Sequence, residues 1–255
     1  MRGLEGKVAV MAGGAGGIGS ASSIRLAEEG AAVVVGDLDG VAANAVAAEI
    51  TRRGGNASAV TVDISDEESV QALVDSAVEL HGGIDIVHIN AADLSPQIIG
   101  RDSDVVNIPI EVVDRTLEVD ARGHLLCARH AIPPLLERGG GALVFTTSAA
   151  AFIGAPERPA YAMAKSAICA LVRHVASRWG RQGIRANAVA PGLVLSEDVR
   201  SSLSPQFLDH ALEGTRSPRL GMPEDIAAMV AYLASDDGSW INGQIISVDG
   251  GTVLR

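Results

Sequence analysis

Short apolar blocks alternate with longer amphipathic or alanine-rich blocks along nearly the whole chain, and this alternation narrows the possible folds most. A short apolar run suits a strand buried on both faces, and the longer blocks suit crossover helices. Repeated in turn, they specify βαβ units around a parallel sheet. Strands are expected near Val8–Met11, Ala32–Gly36, Ala57–Val62, Ile84–Ile89, Ala142–Thr146, Arg185–Ala188 and Gln244–Val248. Helices are expected over Gly17–Glu29, Gly40–Arg53, Asp66–His81, Glu111–Glu137, Ala160–Gln182 and Pro223–Ala234. Right-handed crossovers then give an α/β, doubly wound sheet of about seven parallel strands with helices on both faces.

Two segments break the rhythm, Asp93–Ile108 after the fourth strand and Leu193–Gly221 after the sixth. Connections of that size in a compact fold tend to be lids or binding loops, so both are expected to line a substrate site. No repeat, low-complexity tract or linker composition divides the chain, and residues 1–255 are expected to form a single domain.

Composition excludes several roles. Lys and Arg number 20 against 31 Asp and Glu, a net charge of -11, which is the wrong sign for a nucleic-acid partner. Cys127 and Cys169 lack metal or disulfide spacing, so no metal site is expected and a reducing cytoplasm fits. The first residues lack the charged-then-apolar order of a secretory signal, and no apolar run is long enough to cross a bilayer. The chain is therefore expected to be cytoplasmic, without a membrane partner and unprocessed.

The first expected strand runs into Ala12-Gly13-Gly14-Ala15-Gly16-Gly17-Ile18-Gly19 and then a helix. Glycines there permit a tight turn, close approach of a pyrophosphate and close helix packing, while the helix N-terminus offers N–H groups to the phosphates. Two registers fit, GxGxxG through Gly14, Gly16 and Gly19 and GxxxGxG through Gly13, Gly17 and Gly19. No Gly-Lys-Ser/Thr follows, which excludes a Walker loop. Asp37 ends the second strand, where a carboxylate accepts from both ribose hydroxyls and repels a 2′-phosphate. NAD is thus expected over NADP. Neighbouring Asp39 reads as a helix N-cap. Asp63 ends the third strand within reach of an adenine amino group, and Asn90-Ala91-Ala92 places small residues beside the crevice.

Beyond the fifth strand stand Ser148 and then Tyr161-Ala162-Met163-Ala164-Lys165, whose Tyr and Lys share one helix face. A nearby ammonium and an oxidised nicotinamide both favour the phenolate, which suits Tyr161 to proton transfer.

These residues resemble the classical short-chain dehydrogenases/reductases, whose catalytic unit is a Rossmann-type domain. The resemblance covers essentially the whole chain: the glycine loop, Asp37, Asp63, Asn90-Ala91-Ala92, Ser148, Tyr161, Lys165, Ile184-Arg185-Ala186-Asn187-Ala188-Val189-Ala190-Pro191-Gly192 and Asp249-Gly250-Gly251. It implies an NAD-dependent oxidoreductase acting on a secondary alcohol or ketone. In it Tyr161 is the general acid/base, Lys165 lowers its pKa and binds the nicotinamide ribose, and Ser148 orients the substrate oxygen. Gly13, Gly17, Ile18, Gly19, Asp37, Leu38, Asp63, Ile64, Asn90, Ala91, Pro191, Gly192, Val194 and Ser196 are the implied cofactor contacts, with Asn187 bracing the site. A homotetramer is implied as well, with helices over Asp114–Leu136 and Ala160–Arg178 at one interface and the C-terminal strand at another.

The chain departs from the pattern at Ala12, where Thr is usual, at Ala92, where Gly is usual, and at Asp120, where Asn is usual. Asn both donates and accepts, whereas an ionised Asp only accepts. Asp120 is expected to hold a relay water and to stabilise the charged Lys165, and His124 one turn later is expected either to pair with Asp120 or, in preference, to serve packing or an interface. The alternative is an NAD-binding protein with impaired catalysis and a regulatory or structural role. Candidate substrate lining mixes apolar side chains such as Ile98, Ile99, Phe152 and Phe207 with charges such as Arg101, Arg200 and Arg216, which leaves the substrate open.

Overall fold

The computed structural model describes residues 1–254. Its core is one seven-stranded sheet in the order β3-β2-β1-β4-β5-β6-β7, every neighbouring pair parallel. The strands are β1 (Val8–Ala12), β2 (Ala32–Asp37), β3 (Asn56–Thr61), β4 (Ile86–Ile89), β5 (Gly141–Thr146), β6 (Ile184–Pro191) and β7 (Ile245–Val248). The helices are α1 (Gly17–Glu28), α2 (Gly40–Arg52), α3 (Glu67–His81), α4 (Ile110–Leu117), α5 (His124–Glu137), α6 (Pro159–Trp179), α7 (Glu197–Ser202), α8 (Pro205–Glu213) and α9 (Pro223–Ala234). None of the described helices is long and apolar enough to cross a membrane.

Strand side chains alternate between two cores, as a pleated sheet requires. Val10, Ala12, Val34, Val87, Ile89, Leu143 and Phe145 meet side chains of α3, α5 and α6 on one face. Ala9, Met11, Val33, Val35 and Ile86 meet α1, α2 and α9 on the other, and Val144 and Val189 extend that face with Ile226, Val230 and Leu233. Helix starts follow local chemistry. Asp39 caps α2 by accepting from the Val41 and Ala42 N–H groups, as expected, and Asp66 caps α3 by accepting from Glu68.

Three expectations need correction. The helix expected over Glu111–Glu137 is interrupted by a π-helical turn, Glu118–Gly123, between α4 and α5. The segment Leu193–Gly221, expected as a loop, contains α7 and α8. Ser196 and Ser204 start them by accepting from the Val199 and Phe207 N–H groups, with Pro205 at the first turn of α8. Strand β6 continues past Ala188 to Pro191 because its far end pairs with β7.

Arg185 in β6 ties α9 to the sheet. Its guanidinium donates to the carbonyls of Leu233, Ala234, Ser235 and Gly238, the acceptors that a helix C-terminus leaves open. Arg185→Leu is expected to destabilise the fold by about 2–4 kcal/mol, because those carbonyls lose their partners while staying partly buried. Urea unfolding of both proteins measures it, the midpoint falling without a change in slope.

Candidate active site

Strands β1 and β4 are neighbours although β2 and β3 intervene in sequence, so the crossovers leave the sheet in opposite directions there. In open α/β sheets such a reversal opens a ligand crevice at the carboxyl ends of the strands. The glycine loop between β1 and α1 lies on it. A Cβ on Gly13, which sits at φ 83°, would lie 2.5 Å from the Ala91 nitrogen. One on Gly17 would lie 2.5 Å from the Ser196 Cβ, and one on Gly19 would overlap the Gly13 carbonyl oxygen. Gly14 is also crowded, 2.8 Å from the Met11 Cβ, whereas Gly16 has open space. No side chain caps α1, which leaves its first N–H groups without a side-chain partner at the loop.

With Ala12 lacking a hydroxyl, other groups tie the turn. Asn90 donates from Nδ2 to the Gly13 carbonyl at 3.0 Å, and buried Ser23 donates to the carbonyls of Gly14 and Gly19. Asp37 Oδ2 accepts from the Ala15 N–H at 2.8 Å, which fixes a carboxylate at the loop's edge beside exposed Leu38. Asp63 is held below the usual carboxylate range. Burial pushes it up, but the Ser65 hydroxyl and N–H, both donating to Oδ1, and the charge of Arg115 outweigh that. Ile64 packs under Gly123, where a side chain would strike it. The crowded glycines, the uncapped helix start and the fixed carboxylate fit a dinucleotide.

Tyr161 and Lys165 stand one turn apart on α6, with the Lys165 Nζ 5.5 Å from the Tyr161 ring centroid. Half-buried Ser148 follows β5 and opens a short 3-10 turn, Ala149–Ala151, that packs against α6. Lys165 is only 2% exposed. Its ammonium donates to the Thr146 carbonyl at 3.4 Å, while its own carbonyl accepts from the Thr147 hydroxyl at 2.7 Å. Pro191 and Gly192 close β6. Val194 bridges to Gly221, and Ser196 stands against Gly17, so the Leu193–Gly221 segment meets the loop across the crevice.

Asp120 lies in the π-helical turn, 0% exposed. Its Oδ1 accepts from the Asp93 N–H at 2.9 Å. Its Oδ2 is 3.7 Å from the Lys165 Nζ and has no hydrogen-bond partner. Burial raises its pKa, and Lys165, too distant for a short ion pair, offsets this only in part. Two buried histidines adjoin. His124 Nε2 is 3.0 Å from the Ala91 carbonyl and its ring stacks on Phe145; it makes no hydrogen bond with Asp120. His88 Nε2 is 2.9 Å from the Thr146 hydroxyl.

Asn187, expected to brace the site, accepts from the Gln244 N–H and donates to the Ile241 carbonyl, which fixes the approach to β7. Sequence reasoning also missed Ser23, Thr146 and Thr147, whose roles depend on which strands become neighbours. It missed Asp102, whose carboxylate accepts from the Ala160 and Tyr161 N–H groups. A signal did exist: Pro156-Glu157-Arg158-Pro159 precedes α6 without an N-capping residue type next to Pro159. Among the described residues, no group of three His, Cys, Asp or Glu is placed to hold a metal ion.

A family profile described as enoyl-(acyl carrier protein) reductase matches residues 13–253. A probable short-chain type dehydrogenase/reductase of Bradyrhizobium diazoefficiens is 41% identical over 99% of this chain and 89% of its own length. The 7alpha-hydroxysteroid dehydrogenase of Escherichia coli (strain K12) is 35% identical over 98% of this chain and 95% of its own. A solved 7alpha-hydroxysteroid dehydrogenase, complexed with NADH and 7-oxo glycochenodeoxycholic acid, superposes with a TM-score of 0.91 at 35% identity. It covers 100% of this chain and 96% of that one. The chain belongs to the classical short-chain dehydrogenase/reductase family. It is an oxidoreductase of that family.

Burial pushes His88 and His124 down to about 3, for His124 with the Lys165 charge adding to it. Unfolded histidines bind protons below about pH 6.5 while these two do not, so the unfolded state gains protons first on acidification. Stability is therefore expected to fall as the pH drops below about 6.5, each histidine contributing to the slope until it binds its own proton near 3. Urea midpoints across that range should depend less steeply on pH in a His88→Val/His124→Val variant.

Proposed function

We propose that the chain is an NAD-dependent dehydrogenase/reductase that interconverts a secondary alcohol and its ketone. The observation that carries this reading is the buried Lys165 ammonium held beside the Tyr161 ring on the helix that packs against the turn after Ser148. When bound, the cofactor would accept the hydride at its nicotinamide C4 as NAD during oxidation and would supply it as NADH during reduction. Tyr161 takes the hydroxyl proton during oxidation and returns one to the carbonyl oxygen during reduction. Lys165 stabilises its phenolate, and Ser148 holds the substrate oxygen. Gly13, Gly17, Ile18 and Gly19 receive the pyrophosphate. Asp37 receives the ribose hydroxyls with Leu38 beside the adenosine, and Asp63 and Ile64 flank the adenine. Asn90, Ala91, Pro191, Gly192, Val194 and Ser196 line the nicotinamide half. Relatives named for hydroxysteroids and for cis-4-hydroxycyclohexanecarboxylate support a cyclic secondary alcohol as substrate.

The same reading takes residues 1–255 as one catalytic domain, cytoplasmic and assembled as a homotetramer, with exposed Leu125 of α5 and Met163 of α6 at subunit contacts. The alternative, a cofactor-binding protein with impaired catalysis, rests on Asp120 alone, and the Ser148, Tyr161 and Lys165 set supports turnover.

A panel of cyclic secondary alcohols and ketones, assayed at the reduced-nicotinamide band with NAD and NADP side by side, tests the reading. Turnover is expected with NAD, and Tyr161→Phe should lower kcat at least about 100-fold. Asp37→Arg should move kcat/KM toward NADP by about tenfold or more, since it exchanges a repelling charge for an attracting one. No turnover despite NADH binding would overturn it. Asp120→Asn separates the readings: a kcat within about tenfold of the parent supports an active enzyme, whereas a larger rise supports the impaired one.

A further inference from the structure

We infer that Asp102, in the segment after β4, is a positioning residue for Tyr161, and that it makes the substrate-side loop and the start of α6 one mechanical unit. The proposal rests on the reading above that Tyr161 is the acid/base. In a loop whose neighbouring residues Gly100, Arg101, Val105 and Val106 are exposed, Asp102 is 3% exposed. An aspartate is rarely buried to that degree unless its carboxylate is fully engaged. Here Oδ1 accepts from the Ala160 N–H at 3.2 Å and Oδ2 from the Tyr161 N–H at 2.9 Å.

Those two N–H groups sit at the second and third positions of α6, the pair an N-cap side chain ordinarily satisfies. The local N-cap residue, Arg158, makes no side-chain cap and lies at φ 66°, the sole non-glycine residue at positive φ among those described. That backbone conformation is unfavourable for an arginine and persists where surrounding bonds determine it. The bonds come from the same loop: the Arg158 N–H donates to the carbonyls of Asp102 at 3.0 Å and Ser103 at 3.1 Å. The cap is thus supplied in trans, from more than fifty residues earlier in the chain. It places a carboxylate at the positive end of the helix dipole.

The backbone nitrogen of Tyr161 is therefore set by a loop side chain. The loop is also anchored at its beginning, through the Asp93 N–H on Asp120. The loop is thus fastened through Asp93 to the π-helical turn that carries Asp120 and through Asp102 to the start of α6, the helix that carries both Tyr161 and Lys165, so displacement of the loop shifts the Tyr161 backbone with it. Misplacement of an acid/base by about 1 Å is worth up to about 100-fold in rate.

Two measurements on the full chain test this. Hydrogen–deuterium exchange across residues 157–168 needs no turnover; Asp102→Ala is expected to speed it about tenfold, and Asp102→Asn, which keeps one acceptor, by less. Steady-state kinetics should show kcat lowered about ten- to hundredfold in Asp102→Ala, with KM for NAD within about twofold, and partial rescue in Asp102→Asn. Asp104→Ala, which removes a carboxylate that accepts only within its own turn at Val106 and Asn107, should match the parent in both. Unchanged exchange, or faster exchange with parental kcat, overturns the proposal. If Asp102→Ala does not fold, Asp102→Asn alone decides on the same two readouts. If the parent turns over no alcohol or ketone, the functional reading fails, and the exchange arm still decides whether Asp102 fixes the start of α6.

Discussion

A single ammonium group, that of Lys165, is held out of water at the carboxyl ends of the strands, and much of the surrounding structure is what keeps it there. An unpaired buried cation is costly, and a lysine so placed either loses its proton or acquires compensating groups. The compensation is spread over several elements: the Thr146 carbonyl at the end of β5, the Asp120 carboxylate of the π-helical turn and the Tyr161 ring on α6 itself. Because Asp120 arrives from the β4–β5 crossover, Thr146 from the end of β5 and Tyr161 from α6, the ammonium is surrounded correctly only when β4, β5 and α6 are in place. The two neutral histidines beside it add no competing charge, since burial denies them protons in the neutral range.

Features set by local geometry could be read from the chain, and features set by which strands become neighbours could not. Strands and their alternation were legible because burial on both faces leaves blocks such as Val33-Val34-Val35 that suit little else. The glycine loop and the Tyr161/Lys165 spacing were legible because their chemistry depends on local geometry, a turn in one case and a helix repeat in the other. Asp39 could be recognised as a cap for the same reason. Asn187 could not be placed, because its partners lie more than fifty residues away and β6 met β7 only in the folded sheet. Asp102 was hidden similarly, as one of several charges in a loop. Helices α7 and α8 were missed because short helices leave too few residues for a period to show, although their serine caps were in view.

Asp120 shows how a substitution at a familiar position is reinterpreted by its surroundings. From the sequence, an ionised carboxylate in place of an amide suggested a partner for lysine. In the structure the two groups are 3.7 Å apart, and desolvation outweighs their attraction on the carboxyl side. One oxygen is occupied by the Asp93 N–H, so Asp120 also fixes where the polypeptide leaves β4. It therefore joins the proton-handling side of the site to the start of the substrate-side loop, two tasks that an amide would divide differently between donor and acceptor.

The π-helical turn from Glu118 to Gly123 also acts as a phase shifter. A π turn takes up an extra residue relative to an α turn, and each residue of an α-helix advances the side-chain direction by about 100°. The stripes before and after the turn consequently do not line up. Helix α4 packs against α6, while α5 packs against α3, β4 and β5. One nearly continuous rod thus serves two neighbours in different directions, with no loop between them. Removing one residue from this turn would realign the stripes and force the rod to abandon either the helix that carries Tyr161 or the sheet beneath it.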